Sequence, residues 1–164
     1  SETYHGSKYQ INFSIPNNWY IHPSSVSQNI FLTHSSQLAT INISTAYFPE
    51  GITINGYQLL RKNRRYDSWV DLLSREGSEY ENNRANSDDA FVVVLAKRTL
   101  QEDLSIHQKL VAEYYFLKLN RAYCISIQTK KELFSQFKLD TKFFVDSFLL
   151  FSFGTMAIKK AGFR

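Results

Sequence analysis

An α+β fold is predicted by the way the spacing of apolar residues changes along the chain. Apolar and polar residues alternate over short segments before residue 50, and apolar positions then fall at three- and four-residue intervals between Trp69 and Tyr80. Segments rich in β-branched and aromatic residues follow, and the last apolar run returns to helical spacing. This order of strands, helix, strands and helix predicts sequential antiparallel strands, because a parallel sheet would alternate strands with helices.

Three strands are predicted before residue 50. The first covers Tyr9–Ile15, where apolar residues alternate with Asn and Ser, and Pro16-Asn17-Asn18 supplies turn residues after it. Asn29–Thr33 and Leu38–Tyr47 are the second and third strands. Their spacing and the Ser-Ser pair between them predict a hairpin.

The second half is predicted to contain two helices and three strands. The first helix begins near Trp69, with Asp67 or Ser68 as its N-cap. Three strands rich in β-branched and aromatic residues follow it: Phe91–Leu100, Lys109–Leu119 and Ala122–Thr129. A tight turn at Asn120-Arg121 joins the last two strands. A closing helix is predicted over Glu132–Phe137 and Asp140–Phe151, with a Phe-rich face that packs on the sheet.

Length and composition restrict the class of protein. The chain has 164 residues, of which 43% are hydrophobic, with only 6 Gly and 3 Pro, so it is predicted to fold as one domain over residues 1–164. Nineteen basic and 15 acidic residues give a net charge of +4, which is too small to predict a nucleic-acid partner. No charged side chain occurs between Lys8 and Glu50.

No transmembrane span is predicted. Polar residues interrupt the uncharged stretch before Glu50, and the uncharged run Ser147–Ile158 is shorter than the roughly 17 residues that a span needs. The chain begins at Ser1 without a methionine or a signal sequence. This fits either a trimmed chain or a processed protein that is secreted or lipid-anchored, with the anchor outside the sequence.

No enzyme activity is predicted, because the common motifs of hydrolases, nucleotide-binding proteins and zinc proteases are absent. Ser135-Gln136-Phe137-Lys138 matches the S-x-x-K spacing, but the S-D-N and K-T-G partners of that site are missing. Cys124 alternates with apolar residues in a strand, which predicts a buried and inert thiol.

No cofactor is predicted, and a metal site is left open without assigned ligands. The four histidines lack the spacing of metal ligands, so a site would need His22, His34 and His107 to converge in the fold. His22 and His34 are expected to face each other across the first hairpin. The alternative is that these histidines only satisfy neighbouring backbone groups.

The densest cluster of charge is the predicted partner-binding surface. It consists of Arg61, Lys62, Arg64 and Arg65, followed by Tyr66, and it precedes the first predicted helix. Cations beside a helix N-terminus favour a carboxylate, a phosphate or an acidic partner, because unpaired N–H groups add to the positive charge. The alternative is a solvated loop whose charges serve solubility.

Two sequence motifs resemble a known superfamily. Residues 11–19, Ile-Asn-Phe-Ser-Ile-Pro-Asn-Asn-Trp, resemble the opening f-s-i-P-x-x-W hairpin of the PsbP-like/Mog1-like superfamily, which includes the bacterial DUF1795-type proteins. Residues 122–127 and the later Phe144-Val145-Asp146-Ser147-Phe148 are similar to its final strand and closing helix. The resemblance implies an α/β/α sandwich around an antiparallel β-sheet, with a core at about 9–151 and a tail at 152–164.

The resemblance also implies a class of function. Known members act without catalysis as extrinsic lumenal subunits of photosystem II, as bacterial lipoproteins, or as proteins that bind the small GTPase Ran. The chain is therefore expected to be a protein-binding accessory or assembly factor that is extracytoplasmic, in the periplasm, a lumen or at a membrane-anchored surface. The alternatives are a cytoplasmic or nuclear regulator that binds a small GTPase or another acidic partner, and a small-ligand-binding domain.

Overall fold

The computed structural model describes the backbone of residues 2–6, 8–65, 69–76, 80–81, 95–100, 109–153 and 158–159, and the side chains of residues 2–6, 8–61 and 109–152. The described elements follow one another in this order: β1 (Thr3–Gly6), β2 (Ile11–Ser14), β3 (Trp19–Ile21), β4 (Asn29–His34), β5 (Ala39–Tyr47), α1 (Ile54–Arg65), β6 (Trp69–Glu76), β7 (Tyr80–Glu81), β8 (Leu95–Leu100), β9 (Lys109–Lys118), β10 (Arg121–Lys130), α2 (Phe134–Phe153) and β11 (Ile158–Lys159). A 3-10 turn at Lys131–Leu133 leads into α2.

The central layer is a seven-stranded sheet in the order β3-β4-β5-β10-β9-β8-β6. Every neighbouring pair in this sheet is antiparallel. Strands β1 and β2 form a separate hairpin, and β7 pairs with β11. The predicted hairpin of the second and third sequence strands is confirmed, because β4 pairs with β5 along Asn29–Thr33.

Helix α2 covers one face of the sheet and buries the larger core. Its side chains Phe144 and Phe148 are fully buried. The ring centroid of Phe148 lies 5.3 Å from that of Phe116 on β9 and 5.4 Å from that of Tyr123 on β10. Aromatic side chains of this size bury much apolar surface, so among the described side chains this face supplies most of the hydrophobic stabilisation.

Helix α1 lies on the opposite face and completes the sandwich. Tyr57 of α1 packs with Tyr115 on β9 and with Ala122 and Cys124 on β10. Tyr115, Ala122 and Cys124 alternate along their strands with the residues that face α2, which is the period-two pattern of a sheet buried on both sides. The predicted α/β/α sandwich around an antiparallel sheet is confirmed.

The β1–β2 hairpin is attached to α2 through two buried serines. The N–H of Asn12 donates to Ser152 Oγ at 2.7 Å, and the same hydroxyl donates to the Asn12 carbonyl oxygen at 2.7 Å. The N–H of Ser14 donates to Ser147 Oγ at 2.9 Å. These serines satisfy the backbone N–H groups on the edge of β2 that does not pair with β1. This strand edge is therefore covered by a helix rather than by another strand.

Trp19 of the opening motif connects the sheet to α2. Its indole Nε1–H donates to Asp140 Oδ2 at 2.8 Å, and its ring meets Phe137 edge-on with centroids 6.0 Å apart. Because tryptophans are large and apolar, the sequence predicts that Trp19 and Trp69 are both core anchors. The structure confirms this for Trp19, which is 6% exposed, and the side chain of Trp69 lies outside the described residues.

The helix predicted from Trp69 to Tyr80 is wrong. Trp69–Glu76 is an edge strand that pairs with β8. Its apolar residues fit both periods over so short a segment, and Trp and Val favour strands. Pairing with the open edge of β8 satisfies backbone groups that a helix here would leave exposed.

Helix α1 (Ile54–Arg65) is not predicted from the sequence. Gly56 disfavours a helix, and three of the last five positions of the helix are Arg. The positive φ of 83° at Gly51 does mark a turn, whereas Gly56 lies inside the helix. The first turn is held by Thr53, whose Oγ1 accepts the N–H of Gly56 at 2.9 Å, so Thr53 is the N-cap.

The remaining strand predictions are confirmed with small shifts. The predicted strands at 109–119 and 122–129 correspond to β9 and β10, and their turn lies at Leu119-Asn120, one residue earlier than predicted. Of the predicted strand Phe91–Leu100, the structure describes β8, and residues 91–94 lie outside the described part. Neither described helix has a stretch long and apolar enough to cross a bilayer.

Candidate functional site

A cleft opens between helix α1 and strands β4 and β5. Its volume is about 330 Å³, and we refer to it as the α1 cleft. Its lining combines polar and apolar side chains: Val26, Gln28, Asn29, Ser44, Thr45, Ala46, Phe48, Tyr57, Leu60 and Arg61. The volume is at the lower end of the range for small-molecule sites.

The buried face of α1 carries a cation where an apolar residue is expected. Ile54, Tyr57 and Arg61 follow the i, i+3, i+7 spacing of one helix face. Only 8% of Arg61 is exposed, and its Nη1 donates to Ser44 Oγ at 2.9 Å. The guanidinium carbon lies 6.0 Å from the Tyr57 ring centroid. Hydrogen bonding and the aromatic face offset part of the loss of hydration of this cation.

The floor under α1 is a buried patch of polar side chains on β5, β10 and β9. One row across the sheet pairs Asn42 with Ser126 and Ser126 with Glu113. Glu113 has no exposed surface, and its Oε2 accepts a weak hydrogen bond from the Cys124 thiol at 3.9 Å. The predicted burial of Cys124 is confirmed. Sequence reasoning missed Glu113, although a carboxylate at an inward position of an apolar strand is a signal that could have found it.

The predicted basic surface has a different setting from the one expected. Residues 61–65 form the last part of α1, so the cations lie at a helix C-terminus and not before an N-terminus. Backbone carbonyls end the helix here, and cations stabilise that end of the helix dipole. Arg61 faces the sheet, the side chains of Lys62, Arg64 and Arg65 are not described, and Tyr66 lies outside the described residues.

Burial raises the pKa of Tyr57 to about 12, and Cys124 adds to the rise while Arg61 opposes it. Tyrosines of the unfolded chain titrate near pH 10. The folded protein therefore binds the phenolic proton more tightly, and the stability that this contributes is complete below about pH 10 and is lost as the pH rises towards about 12. We expect Tyr57→Phe to reduce the fall in the free energy of unfolding between about pH 10 and 12, measured by urea denaturation at each pH.

Tyr20→Phe is the control for this measurement. Tyr20 is an exposed tyrosine on β3, so its replacement shows how far the loss of a surface phenol by itself alters the pH dependence. If the free energy of unfolding of the Tyr57→Phe variant fell between about pH 10 and 12 as steeply as that of the parent protein, the raised pKa of Tyr57 would be contradicted.

The histidines do not converge in the described structure. In the β3–β4 pairing, His34 lies opposite Trp19, and the N–H of His22 donates to the Phe31 carbonyl at the other end of the ladder. The expectation that His22 and His34 face each other is therefore wrong, because the register separates them. His107 lies outside the described residues, and in the described part no three His, Cys, Asp or Glu side chains are grouped to hold a metal ion.

Among the side chains that the structure describes, two serine–histidine contacts are present, and both belong to turns. His22 Nδ1 lies 2.7 Å from Ser24 Oγ and accepts the N–H of Ser24 at 3.1 Å. His34 and Ser36 repeat the arrangement with the same distances. Both contacts are exposed, and in each the histidine accepts the backbone N–H of the serine two residues later. These histidines therefore satisfy neighbouring backbone groups, which is the alternative to a metal site given by the sequence. Ser135 of the S-x-x-K match is likewise exposed, on α2.

A second group of side chains meets the α1 cleft at Gln28 and Thr45. Arg121 lies between two tyrosine rings, with its guanidinium carbon 5.3 Å from the Tyr9 centroid and 5.5 Å from the Tyr47 centroid. Its Nη1 donates to Thr45 Oγ1 at 3.4 Å, and Gln28 Nε2 donates to Tyr9 Oη at 2.6 Å. The sequence did not single these residues out, because 112 residues separate Tyr9 from Arg121 and only the fold joins them.

The fold is similar to two solved structures of known proteins. PsbP (CyanoP) from Synechocystis sp. PCC 6803 matches over 89% of this chain and 89% of that chain, with a TM-score of 0.58 and 12% identity. The Ran-binding protein Mog1p of Saccharomyces cerevisiae matches over 85% of this chain and 82% of that chain, with a TM-score of 0.54 and 10% identity. No protein-family model and no curated protein sequence matches the chain. The expected PsbP/Mog1-like fold is confirmed.

Proposed function

We propose that this chain, which has the PsbP/Mog1-like fold, is a non-catalytic domain that binds another protein as an accessory or assembly factor. Fold does not determine function, so the likeness to PsbP and to the Ran-binding Mog1p supports the class of function and names no partner. The proposal depends on the surface of α1 and the loop beside it.

The observation that carries the proposal is the apolar rim of the α1 cleft. Leu60 on α1 and Val26 on the facing loop are exposed, and 63% of Val26 is accessible to solvent. Leu59, 58% exposed, lies next to Leu60 in the sequence of α1 but outside the cleft lining. Leu60 and Val26 also line the cleft, where Gln28 and Arg61 add polar groups. Apolar side chains rimmed by polar groups are typical of protein interfaces, in which a few desolvated residues carry most of the binding energy.

The cleft is a poorer candidate for catalysis. Its cation, Arg61, is turned towards the sheet and hydrogen-bonded to Ser44, whereas a catalytic group must reach the substrate. The two serine–histidine contacts lie outside the cleft lining. A small-ligand-binding domain is the second reading of the same cleft, and the polar floor beneath α1 is the feature that favours it.

We place the protein outside the cytoplasm, attached to or associated with a membrane complex, by analogy with the lumenal and lipoprotein branches of the superfamily. The alternative is a cytoplasmic or nuclear protein that binds a small GTPase. The name of Mog1p describes that protein as Ran-binding. The N-terminal sequence and intact mass of the protein from its own cells test the location. A cleaved or lipidated N-terminus supports the extracytoplasmic placement, and a full-length cytosolic or nuclear form overturns it.

Site-specific photo-cross-linking tests the binding function directly. A benzoylphenylalanine at position 59 is expected to form a covalent adduct with one protein partner in the source cells. The matched control is the same residue at position 136, where Gln136 is exposed on α2 in the opposite layer and is expected to give no such adduct. Leu59→Ser with Leu60→Ser is expected to weaken capture of that partner at least tenfold without lowering Tm.

Three outcomes separate the readings. A protein adduct at position 59 and none at position 136 supports the proposal. Equal adducts at both positions, or none at either, overturns it. Native mass spectrometry that finds a bound small molecule, lost when Arg61→Met removes the guanidinium group from the cleft, favours the ligand-binding domain instead.

A further inference from the structure

Five side chains form a cationic and aromatic surface at one end of the sheet, which we call the sheet-end cluster: Lys8, Tyr9, Tyr47, Leu119 and Arg121. Tyr47 ends β5 and Arg121 begins β10, and the two are direct partners in the β5–β10 pairing. Tyr9 is held beside them because the Tyr123 hydroxyl donates to its carbonyl oxygen at 3.2 Å. The cluster is thus supported by the ends of two interior strands of the central sheet.

Arg121 is fixed in place before any partner binds. Its guanidinium lies between the rings of Tyr9 and Tyr47 and donates to Thr45, which in turn donates to the Ala122 carbonyl at 2.9 Å. Lys8 Nζ lies 5.3 Å from the centroid of the Tyr9 ring. A cation that is already ordered loses less conformational entropy when it pairs with a carboxylate, so this arrangement favours binding.

In the described part of the chain, neither cation of the cluster, Lys8 or Arg121, has an acidic counterpart. Among the described residues, the ion pair found is Lys142 with Asp146 on α2, and no carboxylate lies within salt-bridge distance of Lys8 or Arg121. Residues 9–49, which include Tyr9 and Tyr47 of the cluster, contain no charged side chain. A hydrogen bond from Gln28 lowers the pKa of Tyr9, and the charges of Lys8 and Arg121 act in the same direction.

The cluster also exposes two large apolar side chains. Tyr47 is 60% exposed and Leu119 is 62% exposed. Leu119 has a φ of 54° in the two-residue turn between β9 and β10, a left-handed conformation that glycine adopts without strain and leucine does not. A leucine here therefore strains the turn, and burial of its side chain does not offset that strain. Such a residue is typical of a position that contacts a partner.

We infer that the sheet-end cluster docks an acidic segment of a protein partner, with carboxylates on Arg121 and Lys8 and an apolar side chain between Tyr47 and Leu119. The inference rests on the proposed protein-binding function and gives the chemistry of the partner. Two cations beside two apolar side chains match a short acidic peptide. An anionic membrane surface is instead met by about four to eight clustered Lys or Arg residues.

Selection of peptides by the folded chain tests the inference. The probe is a displayed library of random heptapeptides, and we expect the selected sequences to carry at least two carboxylates and one aliphatic or aromatic residue. Chemically synthesised copies of these peptides are expected to bind at least tenfold more weakly to Arg121→Gln than to the parent protein, and their affinity should fall as salt is raised. Lys138→Gln is the control, because Lys138 is an exposed cation on α2 away from the cluster.

A second variant separates binding from folding. Leu119→Gly is expected to raise Tm because it relieves the positive φ, and to weaken binding of the selected peptide at least threefold. A protein that is more stable yet binds less well cannot be explained by unfolding. Equal affinity of the parent, Arg121→Gln and Leu119→Gly proteins for the peptide would overturn the inference.

The outcomes also distinguish this inference from the proposed function. The parent protein could bind phosphatidylglycerol vesicles, but neither phosphatidylcholine vesicles nor acidic peptides, and lose this binding in the Arg121→Gln variant. That result would overturn the inference of an acidic protein segment in favour of an anionic membrane. A partner cross-linked at position 59 and captured equally by the parent and Arg121→Gln proteins would overturn the sheet-end cluster and leave the protein-binding function intact. No cross-linked partner at all would overturn the function itself.

Discussion

Replacing Phe148 with alanine is expected to lower the free energy of unfolding by about 3–5 kcal/mol. Phe148 is fully buried at the centre of the α2 face, where its ring contacts Phe116 on β9 and Tyr123 on β10. Removing the ring loses its transfer free energy and leaves a cavity that two sheet side chains and one helix cannot fill by small shifts. Urea denaturation followed by circular dichroism measures the change.

Phe143→Ala is the matched control for this prediction. Phe143 is on the same helix, but 46% of it is exposed, so its removal leaves no closed cavity. We expect a change of about 1 kcal/mol or less. If the two variants differed by less than about 1 kcal/mol, α2 would not pack on the sheet as described.

The second large effect is expected at the contact between α2 and the first hairpin. Ser147→Ala combined with Ser152→Ala is expected to lower the free energy of unfolding by about 2–4 kcal/mol, because two half-buried backbone N–H groups of β2 lose their buried serine acceptors. The affected amides are those of Asn12 and Ser14. Hydrogen exchange of these two amides should accelerate more than that of β10 amides, since β10 is paired on both sides.

The control for the serine pair is Ser135→Ala. Ser135 is on α2 but exposed, so the change is expected to stay within about 0.5 kcal/mol. Unaltered exchange at Asn12 and Ser14 in the double variant would show that the helix does not close the edge of β2.

These two sites show why the closing motif could be found from the sequence. Phe144-Val145-Asp146-Ser147-Phe148 combines two buried rings with a serine that accepts a strand N–H, so the spacing of the motif reflects contacts with the sheet and with β2. The opening motif behaves in the same way, since Trp19 packs on Phe137 and bonds Asp140. Motifs of this kind carry the fold, and they carry no information about a partner.

The candidate site could not be predicted to the same extent. The basic segment from Arg61 to Arg65 is conspicuous in the sequence, but whether a cation faces the sheet or the solvent depends on the helix that contains it. The sequence predicts a helix that begins after this segment, whereas in the structure the segment is the last part of helix α1. Arg61 therefore lies buried against Ser44, and a charge-reversal test of the basic surface should alter Lys62, Arg64 and Arg65 and keep Arg61.

The sheet-end cluster could not be predicted from the sequence, because its residues come together only in the fold. Tyr9, Tyr47 and Arg121 are far apart in sequence, and each alone is an ordinary strand or turn residue. The β5–β10 register brings Tyr47 and Arg121 together, and the Tyr123 hydroxyl holds the backbone of Tyr9 beside them. Such a surface becomes visible only when the register of the sheet is known.

The sequence by itself determined the α+β class, the antiparallel β4–β5 and β9–β10 hairpins and the Phe-rich helix, because these follow from local periodicity and turn residues. Only the tertiary structure decided that Trp69–Glu76 is a strand, that residues 54–65 are a helix, and that Arg61 is buried while Arg121 is clamped between tyrosines. The physical reason is that short segments fit either period, so the free edge of β8 and the uncovered face of the sheet determine which structure forms.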